Sequence, residues 1–210
     1  MNQIAGLVIA YSANEKGELD NRSLMQLIAA RDLRERGIID KIVITTGSGE
    51  ALGSNLASIM FYKSLSLGIK QEDIILLAKA GSCYQEIGYF ELIAKKYKWT
   101  NLIIIGSQPN LPRIQYISKM IFHRSKNITV RTLSSEEILL KSPRFADYIR
   151  LVKDNILSKE STSLRVQEFI LMFLYSMPFG LELMELLGKY INNNKIQKTF
   201  SHVLSFTFSK

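Results

Sequence analysis

Residues 106–113 combine the side chains best suited to chemistry in this sequence. They read Gly106-Ser107-Gln108-Pro109-Asn110-Leu111-Pro112-Arg113 and follow an apolar run. Proline suits the first turn of a helix, where no backbone N–H donor is needed, so Pro112 predicts a helix start. Arg113 beside it would hold a guanidinium that can donate two hydrogen bonds to a carboxylate or a phosphate. The stretch therefore predicts an anion-binding corner.

Two further polar turns follow apolar runs. Thr45-Thr46-Gly47-Ser48-Gly49-Glu50 offers small residues that let backbone N–H groups approach an anion at the start of a helix. The motif is neither a Walker loop nor GxGxxG, and an ordinary strand-to-helix turn is the alternative. The other turn reads Tyr11-Ser12-Ala13-Asn14 and follows the first apolar run.

A third turn reads Ala80-Gly81-Ser82-Cys83-Tyr84-Gln85-Glu86. Ser82 is predicted to cap a helix with its hydroxyl, and Glu86 lies one turn further along, where a carboxylate favours a helix start. A helix N-terminus also lowers the pKa of a thiol such as Cys83. Since no histidine is expected within reach, we do not expect Cys83 to act as a nucleophile.

The elements that must position these turns alternate along the chain. Short apolar runs rich in branched residues span residues 4–10, 41–45, 73–77, 101–105 and 128–131, and segments with helical spacing of apolar residues separate them. Such runs are typical of strands buried on both faces of a parallel sheet. We predict a Rossmann-like three-layer αβα sandwich with a mostly parallel five-stranded sheet, whose ligand pocket lies at the carboxyl ends of the strands.

The pattern changes after the fifth run. Ser134 to Glu137 opens a short helix that Pro143 interrupts, whereas Gly37 and Gly68 are placed to end earlier helices. We expect residues 1–142 to form the Rossmann-like domain and residues 143–210 a C-terminal helical extension that packs on it. An apolar stripe in residues 163–191 either covers a flank of the domain or forms a homodimer.

Composition excludes several classes of protein. The single cysteine rules out an internal disulfide and any CxxC pair, and no metal site is expected. The N-terminal apolar run is too short for a signal peptide, and residues 169–179 are interrupted by Ser176 and Pro178, so no membrane span is expected. A reducing, cytoplasmic location fits this usage best.

The charge of +8 is unevenly distributed, because no acidic residue lies between Glu91 and Glu136. A solvated basic surface is one interpretation of this strip, and binding to nucleic acid or an acidic partner is the other. Its basic residues are Lys95, Lys96, Lys98, Arg113, Lys119, Arg124, Lys126 and Arg131.

Residues 4–139 resemble the YdcF-like family, which includes SanA and ElyC and was long catalogued as a domain of unknown function. Its fourth-strand motif typically reads Thr-Ser, two residues, then His-Met-x-Arg, and Ser107, Leu111, Pro112 and Arg113 match that register. Similar segments are the helix before Gly37, the turn at 42–49 and the stretch from Gly68 to residue 75. The resemblance implies a Rossmann-like fold and, for at least some members, binding of S-adenosylmethionine.

The chain departs from that family at positions that would titrate. Asn110 stands where the family usually has His, the acidic residue that heads the second helix is replaced near Asn55, and Ser82-Cys83 replaces an Asn-Thr pair. His123 is expected at the end of the fourth helix, on the opposite edge of the sheet, and His202 in the tail. Glu50 and Glu86 are therefore the only carboxylates expected near the pocket.

These observations predict a protein that binds a small nucleotide-like or anionic ligand, with S-adenosylmethionine implied by the resemblance. One alternative is a transferase or hydrolase that uses Glu50 or Glu86, with Arg113 as electrostatic stabiliser; another is a basic scaffold for nucleic acid or an acidic partner. No catalytic residue is assigned. The expected rim of the pocket comprises Ser12, Asn14, Thr46, Gly47, Ser48, Gly49, Ser82, Glu86, Ser107, Gln108, Asn110 and Arg113.

Overall fold

The computed structural model describes residues 3–14, 16–46 and 56–156, so the turn at 47–55 and residues 157–210 lie outside the described residues. Strands and helices alternate along it. The strands are β1 (Ile4–Val8), β2 (Lys41–Thr46), β3 (Ile74–Ala80), β4 (Asn101–Gly106) and β5 (Thr129–Ser134). The helices are α1 (Asn21–Glu35), α2 (Leu56–Ser66), α3 (Cys83–Tyr97), α4 (Leu111–Phe122), α5 (Ser135–Leu140) and α6 (Phe145–Ile156).

The five strands form one all-parallel sheet in the order β3-β2-β1-β4-β5. Leu7 in the central strand pairs with Val43 of β2 on one side and Ile104 of β4 on the other. Strand order therefore reverses between β1 and β4, which is where open α/β sheets form their ligand crevice. The predicted Rossmann-like topology is confirmed.

Helices cover both faces of the sheet and divide the core in two. One apolar cluster joins the sheet to α1, α2, α5 and α6, and includes Met25, Met60 and Val152. The other joins it to α3 and α4, and includes Phe90 and Ile117. β1, β2 and β4 are buried on both faces of the sheet, so nearly every side chain along them must be apolar. This is why uniformly apolar runs in the sequence predicted these strands.

The edge strands differ from the sequence prediction in length. β3 was expected to end at Leu77 and β5 at Arg131, but they continue to Ala80 and Ser134. Both strands are only partly buried, so polar residues such as Lys79 and Arg131 are tolerated there. β1 is shorter than expected and ends at Val8 rather than Ala10.

Helix ends follow the expected chemistry. Gly37 and Gly68 have φ angles of +68° and +84°, the left-handed conformation predicted for helix-ending glycines. The side chains of Ser82 and Ser134 accept hydrogen bonds from the backbone at the starts of α3 and α5, as predicted. These caps fix where each helix begins, and therefore where the neighbouring polar turns lie.

Helix α6 is the part of the C-terminal extension that the structure describes. It packs against α1 and α5, and its Val152 is buried in the core. The apolar stripe predicted for residues 163–191, with the homodimer expected from it, lies outside the described residues, as does His202. None of the described helices is long and apolar enough to cross a membrane.

Candidate functional site

The carboxyl ends of β1 and β4 bring three polar side chains together at the point where strand order reverses. The Ser107 hydroxyl lies 3.2 Å from the Tyr11 hydroxyl and 3.2 Å from Oδ1 of Asn110. An amide oxygen only accepts, so the single Ser107 proton goes to Asn110, and the Ser107 oxygen faces Tyr11. We name this group the switch-point cluster.

Asn110 carries an unused donor in that cluster. Asn110 is 0% exposed, and its amide Nδ2 has no hydrogen-bond partner among the described residues. Leaving a buried donor unpaired costs on the order of 1–3 kcal/mol, and native structures contain few such groups. The amide is therefore a group that a bound molecule or a water would satisfy.

A third carboxylate, Glu136, adjoins the cluster and corrects the expectation that only Glu50 and Glu86 would lie near the pocket. It is 4% exposed, and its Oε2 accepts hydrogen bonds from the backbone N–H of Gln108 at 2.9 Å and from the Ser135 hydroxyl at 3.1 Å. Burial raises the pKa of Glu136 above its usual value, although these hydrogen bonds and the charge of Arg22 oppose the rise. Glu136 thus fixes the turn that carries Asn110.

The N-terminus of α1 reaches the same place. Asp20 caps the helix by accepting from the Ser23 backbone N–H at 2.8 Å, and the Ser23 hydroxyl accepts from the backbone N–H of Tyr11 at 2.9 Å. The guanidinium of Arg22 lies 5.3 Å from the centroid of the Tyr11 ring, a cation–π distance. A cation therefore lies beside the switch-point cluster on the α1 side.

A second polar pair lies at the end of β2. The Thr46 hydroxyl donates a 2.8 Å hydrogen bond to Oε1 of Glu86, which is 5% exposed. Burial raises the pKa of Glu86 to about 7, while the Thr46 hydrogen bond and the charge of Arg113 act in the opposite direction. A carboxyl that titrates near neutral pH beside a cation has the properties of a general acid or base.

Three other residues of the expected rim, Ser82, Asn14 and Ser12, form hydrogen bonds that hold nearby turns and helix starts. Ser82 accepts from the Gln85 backbone N–H at 3.3 Å as the cap of α3. The Asn14 side chain is engaged within its own loop, where it donates to Glu18 and accepts from two backbone N–H groups. Ser12 donates its backbone N–H to Ser23 at 3.4 Å. Gly47, Ser48, Gly49 and Glu50 lie outside the described residues.

The expected rim leaves out three neighbours of the site, namely Tyr11, Arg22 and Glu136, although Tyr11 belongs to the polar turn that follows the first apolar run. Glu136 comes two residues after β5, so the rule that directs attention to residues after each strand would have found it; it was interpreted only as part of a helix start. Arg22 comes two residues after Asp20, and an Asp ahead of a stretch with helical spacing is a favoured N-cap residue that marks a helix start.

The remaining titratable groups lie elsewhere. His123 follows α4 and is exposed at the amino edge of the sheet, opposite the site, as expected. Among the described residues no group of three or more His, Cys, Asp or Glu side chains is arranged to hold a metal ion. The basic strip is divided, because Arg113 begins α4 at the carboxyl edge while Lys98, Arg124 and Lys126 lie at the amino edge.

Comparison with known proteins adds no relative: no family model matches the chain, and neither the curated proteins nor the solved structures contain a significant match. The site must therefore be interpreted from its own residues. It combines a fully buried amide with an unused donor, two carboxyls with raised pKa values and two arginines around the reversal of strand order.

Proposed function

We propose that this protein binds a small nucleotide-like or anionic molecule at the carboxyl ends of its parallel strands. The observation that carries the proposal is the Nδ2 group of Asn110, which is fully buried at the β1/β4 reversal with no partner among the described residues. A donor held in this way by Ser107 and the Gln108–Glu136 hydrogen bond is preorganised for an acceptor atom of a ligand.

The cations around the site favour an anionic ligand. Arg22 lies over the ring of Tyr11 on one side of the β1/β4 crevice. On the other side, the charge of Arg113 acts on Glu86 and opposes the rise of its pKa. Protonation of Glu86, whose pKa is about 7, removes its negative charge from the neighbourhood of Arg113, whereas Arg22 stays 3.8 Å from the carboxylate of Asp20. An anion entering the crevice then meets two positive charges and a buried amide donor.

S-adenosylmethionine is the first ligand to test, because the resemblance to the YdcF-like family implies it. The proposal covers nucleotides and sugar nucleotides as well, since these share a ribose and, apart from S-adenosylmethionine, a phosphate anion. Isothermal titration of the full chain against all three classes tests it directly. Absence of heat and of any thermal shift with every one of them would remove the proposal.

Asn110→Asp is the informative variant. It keeps an oxygen to accept from Ser107 but replaces the free amide donor with a second oxygen, so the ligand's acceptor is repelled. We expect affinity to fall by at least about tenfold, since hydrogen bonds to charged groups contribute about 1.5–3 kcal/mol. Asn101→Asp is the matched control, because Asn101 is exposed at the opposite end of β4. This variant should bind the ligand as tightly as the unaltered chain.

A second candidate function, acid–base catalysis, is favoured by Glu86. Its pKa of about 7 and the nearby charge of Arg113 fit a transferase or hydrolase in which Glu86 transfers a proton and Arg113 stabilises developing negative charge. With a ligand identified by titration, Glu86→Gln should keep binding and abolish turnover. Turnover that persists in this variant would exclude Glu86 as the proton-transfer group.

A further inference from the structure

A hollow of about 480 Å³ lies at the amino edge of the sheet, on the side opposite the candidate site. It is formed by residues 98–100, which lead from α3 into β4, and residues 124–128, which lead from α4 into β5. We name it the amino-edge hollow. Its lining combines the buried Trp99 with four exposed cations, namely Lys95, which pairs with Glu91, and Lys98, Arg124 and Lys126. Its volume falls in the range of small-molecule sites.

The two turns that form the hollow are tied to each other and to α3. The Thr129 backbone N–H donates to the carbonyl of Thr100 at 2.7 Å, and the Ser125 hydroxyl donates to Oε1 of Glu91 at 2.6 Å. Within the second turn, the Ile128 backbone N–H donates to the carbonyl of Ser125 at 2.9 Å. The backbone that carries the cations is therefore fixed before any ligand arrives.

Apart from Lys95, the cations of the hollow are not neutralised by neighbouring carboxylates. Glu91 is occupied by Lys95, at 2.8 Å, and by Ser125. Burial alone would raise its pKa, but those two hydrogen bonds and the Lys95 charge lower it, so Glu91 stays ionised and offsets Lys95. No acidic residue occurs in residues 92–135, and no described carboxylate forms an ion pair with Lys98, Arg124 or Lys126.

A competing explanation is that these cations only balance the carbonyl ends of α3 and α4. Each helix end is equivalent to roughly half a negative charge, so two ends account for about one of the three cations that lack a carboxylate partner. Arg124 also donates a hydrogen bond from Nε to Nε2 of His123 at 3.2 Å, which leaves its charge in place. Lys95 and Lys96 already lie in the last turn of α3, and Lys119 in the last turn of α4. The positive charge of the hollow exceeds what the helix ends balance.

Lys98 occupies a position whose backbone conformation suits glycine. It ends α3 with φ +56° and ψ +35°, the left-handed conformation, whereas glycines fill the equivalent place after α1 and α2. Among the described residues it is the one non-glycine residue with a positive φ. Since a side chain there costs free energy that glycine would avoid, the local backbone does not explain the lysine.

We propose that the amino-edge hollow binds a small polyphosphate anion through Lys98, Arg124 and Lys126. This site is separate from the candidate site at the carboxyl edge and does not depend on it. Three cations on fixed turns around a concave surface suit a compact cluster of phosphates. Trp99 is buried and its ring stacks on Tyr97 at 5.0 Å, so it offers no free face for the bases of a nucleic acid strand.

The test measures binding of inorganic tripolyphosphate to the full chain, both by isothermal titration and by changes in backbone NMR chemical shifts. We expect saturable binding with shifts at residues 98–100 and 124–128, and weaker binding at higher salt. Lys98→Gly and Lys126→Gln should each weaken it about tenfold or more, because each removes a charged donor. Lys98→Gly suits the left-handed backbone, so loss of folding does not confuse the result.

Lys63→Gln is the matched control, because Lys63 is an exposed cation on α2, which packs on the other face of the sheet from α3 and α4; the tripolyphosphate affinity of this variant should equal that of the unaltered chain. ATP binding that parallels tripolyphosphate across the Lys98 and Lys126 variants would also support the site. The proposal is overturned if tripolyphosphate does not bind, if its affinity is lost in Lys63→Gln but kept in Lys98→Gly, or if single-stranded RNA of equal phosphate concentration binds more tightly.

Discussion

The Thr46 hydroxyl at the end of β2 donates a 2.8 Å hydrogen bond to the carboxyl of Glu86 in the first turn of α3. This bond joins two neighbouring elements across the carboxyl edge of the sheet, and the Thr45 hydroxyl reinforces it by donating to the Glu86 carbonyl at 3.2 Å. Glu86 is thereby held in a buried position where its charged form is disfavoured. Folding and protonation are therefore coupled at this residue.

We expect Glu86 to make the folded protein less stable as pH rises from 4.5 to about 7. The unfolded chain loses this proton near the ordinary value of 4.5, whereas the folded chain keeps it until about 7. The stability is therefore complete below 4.5, decreases between these values and stays reduced above them. The difference between the two pKa values corresponds to a decrease of about 3 kcal/mol in the free energy of unfolding.

Glu86→Gln should remove this dependence, since a glutamine keeps an oxygen to accept from Thr46 but does not titrate. Urea unfolding at pH 4.5, 6 and 8 should show the variant gaining up to about 3 kcal/mol on the unaltered chain as pH rises. Glu91→Gln is the control on the same helix. The pKa of Glu91 is lowered, so replacing this carboxylate should not stabilise the protein at pH 8. A constant difference between Glu86→Gln and the unaltered chain would contradict the coupling.

Thr46→Val should raise the pKa of Glu86 further. The hydrogen bond from Thr46 stabilises the ionised carboxylate of Glu86. Valine has nearly the same shape but no hydroxyl, so this stabilisation is lost and the carboxyl keeps its proton to higher pH. The pH titration of the Glu86 carboxyl carbon, followed by NMR, measures this directly. Thr46→Ser keeps the donor and should leave the midpoint near that of the unaltered chain; equal midpoints in the valine and serine variants would show that the hydrogen bond has no effect.

Local sequence patterns predicted much of this architecture because the central strands and the helix caps are governed by neighbouring residues. Uniform apolar runs identify strands buried on both faces, and Gly37 and Gly68 identify helix ends. The ends of β3 and β5 were missed because edge strands accept polar residues such as Arg131, so no change of composition marks where they stop.

The site was harder to predict because its contacts join residues distant along the chain. Ser107 and Asn110 are close in sequence and were found, but Tyr11 lies 96 residues from Ser107 and Glu136 lies 28 from Gln108. Their proximity follows from the strand order β1-β4-β5, which the apolar runs alone do not give. The raised pKa of Glu86 likewise depends on burial, which α3 imposes after it packs on β2.

Lys98 and Gly68 should respond in opposite directions to exchange of their residue types. Both have left-handed φ angles, and a β-carbon on Gly68 would meet no atom within 4 Å, so the cost of a side chain there is purely conformational. Lys98→Gly should stabilise the protein by about 1 kcal/mol, and Gly68→Lys should destabilise it by a similar amount. Thermal unfolding measures both; a destabilised Lys98→Gly would indicate that Lys98 makes interactions that outweigh its backbone conformation.

Gly106 lets α4 approach the end of β4, and we expect that approach to depend on Ile114. A β-carbon on Gly106 would overlap Cδ1 of Ile114, whose side chain is fully buried. Gly106→Ala should therefore destabilise the protein by about 1–3 kcal/mol, as insertions into packed cores do. Ile114→Val removes the overlapping methyl group at a cost of about 0.5–1.5 kcal/mol on its own.

The double variant tests the contact. If the overlap is the cause, Gly106→Ala with Ile114→Val should be less destabilised than the sum of the two single variants, by more than the roughly 0.5 kcal/mol that independent sites show. Urea unfolding of all four proteins completes the cycle. Because the same approach positions Asn110 and Arg113 at the start of α4, Gly106→Ala should also weaken ligand binding, and Ile114→Val should restore it in the double variant. Simple additivity would mean that Gly106 serves the strand end rather than the packing of α4.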